Sequence, residues 1–224
     1  VTARNRGCRQ ATRYSAPPLD GRPMQMGNIT DLRPGPADTF MSYDLPWANA
    51  SNTPFRRFKR WTHEGGISTP FIMSWPAKQG ETGIVHAPVH LIDVAATCLD
   101  VASGVYPTEM NGHETTPLEG ESLLPVMADH SWRRDRPIFW EHEGSRAVRM
   151  GQWKLVAEVG GDWELYDMDE DRTELNNLAG NEQTRVRDMS RMYDEWAGRC
   201  GVLPWGVINP AWNPRLIGHG GHIV

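Results

Sequence analysis

At 224 residues the chain has room for one large domain or for a domain with extensions. Hydrophobic residues make up 39% and the formal net charge is −5, so nothing in the overall balance attracts nucleic acid or an anionic membrane surface. No stretch approaches the ~18 apolar residues of a membrane span, and Cys8, Cys98 and Cys200 are too scattered for a disulfide framework or a zinc site.

Residues 1–50 are rich in Pro, Gly, Arg and Asp and lack sustained periodicity, which reads as an irregular segment. The basic stretch "NTPFRRFKRWTHEGG" follows, then "ISTPFIMSWP", an apolar run bounded by Gly66 and Pro76 that predicts a buried strand at about 67–74. "PVHLIDVAATCLDVASG" predicts a helix at about 91–102. Its apolar face comprises Leu91, Val94, Ala95, Cys98, Leu99 and Ala102, and Gly104 stands at the C-terminal cap.

From Pro137 the pattern shortens. "PIFWEHEG", "RAVRMG", "QWKLVAEVGG" and "DWELYDMDED" predict an antiparallel meander of about four strands ending near Tyr166, with Glu141 and Arg149 as a charged pair within it. "NEQTRVRDMSRMYDEWAG" predicts a helix at about 183–197, capped by Asn181 and stopped by Gly198. It would pack on the sheet through Val186, Met189, Tyr193 and Trp196. The tail from Gly201 is rich in Gly and Pro. The chain thus divides into 1–50, 51–130, 131–200 and 201–224.

The basic stretch carries the functional information. Arg56, Arg57, Lys59 and Arg60 lie within five residues, just before Gly65 and Gly66. Two readings fit: a solvated basic loop, or a site where a Lys holds a tetrahedral anion and stabilises charge developing on it. In the second, the Gly pair lets the backbone pass close to the ligand.

"NTPFRRFKRWTHEGGISTPFIMSWP" resembles the signature segment of type I sulfatases, the arylsulfatase branch of the alkaline phosphatase superfamily. "PGPADTFMSYDLPWANASNTPFR", "HLIDVAATCLDVAS", "PLEGESLLPVM" and "IFWEHEGSRAVRMGQWKLV" with "WELYDMDEDRTELNNLA" resemble further family segments in the same order, over about 35–196. The resemblance implies the C-terminal part of an alkaline-phosphatase-like α/β sulfatase fold, with a small antiparallel sheet packed by a C-terminal helix. It implies a sulfuric ester hydrolase acting on a sulfated small molecule or glycan. Lys59 matches the family's sulfate-binding Lys in its Lys-x4-Glu-Gly-Gly arrangement, and His63 and His142 become candidates to line the same pocket.

The family also uses a divalent metal, usually calcium, and a formylglycine made from the Cys of Cys-x-Pro-Ser-Arg. None of the three Cys here stands in that motif, so the formylglycine precursor is not present in this chain. For the metal, only Asn5 in "ARNRGC" matches, and Arg4 replaces its acidic partner, where a cation would repel the ion. The expectation is therefore a C-terminal portion whose N-terminal catalytic half is missing. The alternative is a stand-alone, non-catalytic module that binds a sulfated ligand or a partner subunit. A phosphatase or phosphonate hydrolase of the same superfamily is a third reading. The compartment, periplasmic or cytoplasmic, stays open.

Overall fold

The computed structural model describes residues 18–26, 30–33, 35–40, 45–77 and 82–209. Chain order runs β1 (Gln25–Met26), β2 (Thr39–Phe40), α1 (Leu45–Asn52), α2 (Glu64–Ile67), α3 (Ile92–Val101), β3 (Glu109–Met110), β4 (His113–Glu114) and α4 (Leu124–Ala128). It continues with β5 (Ile138–His142), β6 (Ser145–Met150), β7 (Trp153–Ala157), β8 (Glu164–Asp167), α5 (Gln183–Cys200) and α6 (Trp205–Ile208). The chain splits into two compact units. One contains the described residues of 1–68, 139–148 and 153–224, the other those of 69–138 and 149–152.

The first unit is built on the four-stranded sheet β5-β6-β7-β8, as the meander predicts. Glu143 and Gly144, both at positive φ, make the two-residue turn between β5 and β6, a conformation whose twist matches that of the flanking strands. Alternation then sorts the side chains. Val148, Leu155 and Leu165 form one core with Met189 and Tyr193 of α5, while Val186 and Trp196 pack at its margin. The four expected contact residues of this helix therefore face the sheet. Ala147, Val156, Tyr166 and Met168 form a separate core with Trp140. Lys154 pairs in register with Tyr166, so it shares that second face.

The ends of α5 differ from expectation. Its first cap is Glu182, without a side-chain cap bond, and the helix runs through Gly198 to Cys200. Gly201, at φ 68, takes the left-handed position that ends it. A glycine inside a helix is only a mild penalty, so Gly198 did not stop it.

The second unit corrects two expectations. Residues 69–75 lie in no helix and no ladder among the described residues, and Phe71 and Ile72 are exposed, Ile72 at 90%. A strand needs a neighbour to accept its backbone bonds, so the apolar run alone did not make one. Helix α3 forms where predicted but buries its polar side, Asp93 and Thr97, and leaves Leu91 83% exposed. The reason is a polar hub. Asp93 accepts from the backbone of His90 at 2.7 Å and of Glu121 at 2.9 Å, and from Arg134 through two nitrogens at 2.7 and 3.1 Å. Thr97 Oγ1 accepts from the Leu123 amide at 2.9 Å. The helix ends with Ser103, not Gly104, in the left-handed position.

Helix α1 was not foreseen within the irregular first segment. Asn5, Arg4 and Cys8, with half of that segment and the end of the tail, lie outside the described residues.

Candidate functional site

The basic loop is held from below by aromatic packing. Phe58 and Trp61 are buried with Ala48, their rings edge to face at 4.5 Å. The Gly pair has a use different from the expected one. A Cβ on Gly65 would lie 2.2 Å from the carbonyl oxygens of Arg56 and Arg57, and one on Gly66 would lie 2.0 Å from that of Trp61. What the glycines admit is the loop's own backbone, which turns back on itself and bonds Gly65 N–H to the Arg56 carbonyl at 2.9 Å.

Three of the four clustered cations already have carboxylate partners. Arg57 pairs with Glu158 and lies over the Trp61 ring, and Arg60 pairs with Glu143 at 2.7 Å. Arg56 donates to Tyr166 Oη at 2.8 Å and lies 3.4 Å from Glu164. Lys59 is exposed and makes no ion pair or hydrogen bond among the described residues. Arg57 and Arg60 both have positive φ, 68° and 115°. Such backbone is held only where its surroundings over-determine it, and it concentrates at functional loops.

Below the loop lies a buried charged layer. Lys154 is fully buried, with Nζ 2.8 Å from Glu64 Oε1 and 2.8 Å from Glu174 Oε1. Arg172 approaches the other Glu64 oxygen at 3.4 Å. Beside this layer, His63 Nε2 is 3.4 Å from Glu164 Oε2, to which Tyr166 also donates. The Glu of the Lys-x4-Glu-Gly-Gly arrangement is thus pinned from strand β7.

Residues 55–194 match the family described as N-sulphoglucosamine sulphohydrolase, C-terminal. The chain belongs to the sulfatase family. An uncharacterized sulfatase of Schizosaccharomyces pombe is 30% identical over 75% of this chain and 32% of its own length. The N-acetylglucosamine-6-O-sulfatase of Bacteroides thetaiotaomicron is 29% identical over 61% of this chain and 26% of its own. Among solved structures, Ps i-CgsB superposes at a TM-score of 0.55, with 25% identity over 65% of this chain and 32% of that one. The chain spans a third or less of the curated relatives it matches.

Within this sulfatase domain the expected site residues separate. Lys59 is exposed at the loop surface, whereas His63 is fully buried beneath it. His142 is exposed at the end of β5. The Arg60–Glu143 pair ties the neighbour of Lys59 to the neighbour of His142, which brings the loop and the hairpin tip together. Glu141 accepts from the Gly144 amide at 2.8 Å, and Arg149 donates to the Gly151 carbonyl at 3.2 Å, so each serves its own turn. Calcium finds no group of three or more His, Cys, Asp or Glu side chains able to hold it among the described residues. Asn5 lies outside them.

Sequence reasoning missed Lys154, Glu164 and Glu174. The strand alternation places Lys154 on the face away from Leu155, but nothing local says that this face is covered. Burial works to raise the Glu164 pKa, yet hydrogen bonds from His63 and Tyr166, with the charges of His63 and Arg56, hold it down at about 2. A carboxyl more acidic in the folded than the unfolded state contributes stability above its unfolded pKa, ordinarily about 4.5, and loses it as pH falls through the folded value. Between about pH 4.5 and pH 2 the wild-type urea midpoint should therefore fall more steeply than that of Glu164→Gln. Parallel pH profiles for the two proteins would refute the assignment.

Proposed function

We propose that this sulfatase domain is the C-terminal part of a sulfate-ester hydrolase and supplies Lys59 to its sulfate site. One observation carries the reading: an apolar run at 69–75 that joins no ladder among the described residues, followed in the chain by helix α3 with Leu91 exposed at its N-cap. An apolar run with side chains of both parities is the pattern of a strand covered on both faces within a largely parallel sheet. Helix α3 and its caps expose Leu91, Ala95, Cys98 and Ala102 while Val94 and Leu99 are half-buried, so part of the apolar side is open to such a sheet. Both features fit an α/β core contributed by residues outside those described. The lengths of the relatives support this, since the chain spans about a third of each.

Lys59 then neutralises charge on the sulfate and on the leaving oxygen as the ester bond breaks. The remaining cations of the loop are already paired and serve to shape it. The names of relatives such as the N-acetylglucosamine-6-O-sulfatase support a sulfated sugar as the substrate class. Calcium, expected from the resemblance, belongs to the same core.

No Cys of this chain stands in Cys-x-Pro-Ser-Arg, and positioning alone does not replace a covalent nucleophile. Purified chain should therefore leave a chromogenic aryl sulfate unhydrolysed, and joining it to a sulfatase N-terminal core should produce turnover. Hydrolysis by the chain alone, lost in Lys59→Ala, would overturn the partial-enzyme reading. Binding of a sulfated glycan with no turnover even when joined to the core would favour the stand-alone module.

A further inference from the structure

We propose that Glu174 is a positioning residue that clamps both ends of the basic loop and so fixes the backbone that carries Lys59. The two ends of the segment 56–64 meet this one residue. Glu174 Oε2 accepts the backbone N–H of Glu64 at 2.9 Å, and the Glu174 carbonyl accepts from Arg56 Nη1. Its second carboxylate oxygen forms an ion pair with Lys154 Nζ at 2.8 Å, though without hydrogen-bond geometry. Lys154 donates in turn to Glu64 Oε1 at 2.8 Å. A side chain and a backbone carbonyl of one residue thus hold opposite ends of the loop, with Lys59 between them.

The backbone of Glu174 supports the assignment. It is fully buried and has φ 59°, a left-handed conformation that residues with side chains rarely hold. In this conformation the residue directs its carbonyl to Arg56 while its carboxylate reaches Lys154 and the Glu64 amide. The bonds at both of its ends over-determine the conformation. The charges close as well: Lys154 and Arg172 face Glu64 and Glu174, so the layer is neutral and each carboxylate has a cation. With its ends fixed, the loop can keep Arg57 and Arg60 at positive φ and leave Lys59 exposed.

The clamp takes its functional purpose from the Lys59 role proposed above, but its test does not depend on that role. Hydrogen–deuterium exchange on the whole chain compares amides of 56–66 with those of α5. In Glu174→Gln the loop amides should exchange about 10- to 100-fold faster, the factor expected for losing bonds to a charged group, while α5 changes by less than about threefold. In Arg56→Ala, which removes the contact to the Glu174 carbonyl and the bonds to Tyr166 and Glu164, the Gly65 amide, held by the Arg56 carbonyl, should speed up while the Glu64 amide, held by Glu174 Oε2, stays protected. Acceleration shared equally with α5, or an unchanged loop, overturns the clamp. If Glu174→Gln does not fold, Arg56→Ala decides alone, and an unchanged Gly65 amide rejects the proposal. Lys59→Ala should leave the exchange pattern intact while lowering turnover of the completed enzyme. Retained turnover there would sink the sulfate assignment and leave the clamp standing.

Discussion

Replacing Lys59 by Ala in the completed enzyme should lower turnover of a sulfate ester by ~10²–10³-fold, the loss typical of removing one group that stabilises a developing oxyanion. The proposed role makes the effect large, because an ammonium on the sulfate would act on charge that grows toward the transition state. Lys59→Arg should recover only part of the rate, since a wide planar fork does not occupy the place of a compact ammonium. Arg57→Ala is the control. Its charge is already met by Glu158 and its side chain lies over Trp61, so turnover should change by less than about fivefold, as for a partly exposed pair. Steady-state kinetics of the three variants on one substrate decide it. If Arg57→Ala proves as damaging as Lys59→Ala, the sulfate contact has been assigned to the wrong cation.

Lys154→Ala should be the most destabilising single substitution in the sheet unit, by about 3–5 kcal/mol. Its removal leaves the carboxylates of Glu64 and Glu174 close together where Glu174 is fully buried, with the half-exposed Arg172 at 3.4 Å from Glu64. That is a large share of the ~5–15 kcal/mol that holds a typical domain folded. The cost comes from the uncompensated charge more than from the lost attraction. Lys154→Met combined with Glu174→Gln should therefore be more stable than Lys154→Ala, although it removes two charged groups. Urea unfolding followed by far-ultraviolet circular dichroism measures both. A loss below about 1 kcal/mol for Lys154→Ala would mean that water or a shifted Arg172 relieves the carboxylates.

Much of this fold is legible locally. The two-residue turn at Glu143 and Gly144, the short runs from 138 to 167 and the spacing of Met189, Tyr193 and Trp196 specify a meander and the helix on it. Helix α3 was legible as a helix but not in its orientation. Its apolar spacing pointed one way, while Asp93, meeting Arg134 across 41 positions of sequence, turned the polar side inward. A bidentate buried ion pair with two further backbone donors outweighs a stripe of Leu, Val and Ala that is left half-buried at Val94 and Leu99 and exposed at Leu91 and Cys98. Residues 69–75 show the same limit. A run can have the composition of a strand, but only a neighbour provides the ladder.

The amino-acid sequence by itself determined the family, through the ordered segments between about 35 and 196, and singled out Lys59 within its basic stretch. It also determined which residues share a face in β6, β7, β8 and α5, because periods of two and 3.6 are properties of the local backbone. Only the tertiary structure decided what covers each face. Lys154 meets Glu64 across 90 positions, and Arg56 meets Tyr166 and Glu174 across 110 and 118. Such pairings leave no periodic trace, because the energy of a buried charge depends on which partner reaches it in space rather than on its neighbours along the chain. That is why Arg56, Arg57 and Arg60, alike in sequence to Lys59, became structural once folded, and Lys59 alone of the four stayed exposed.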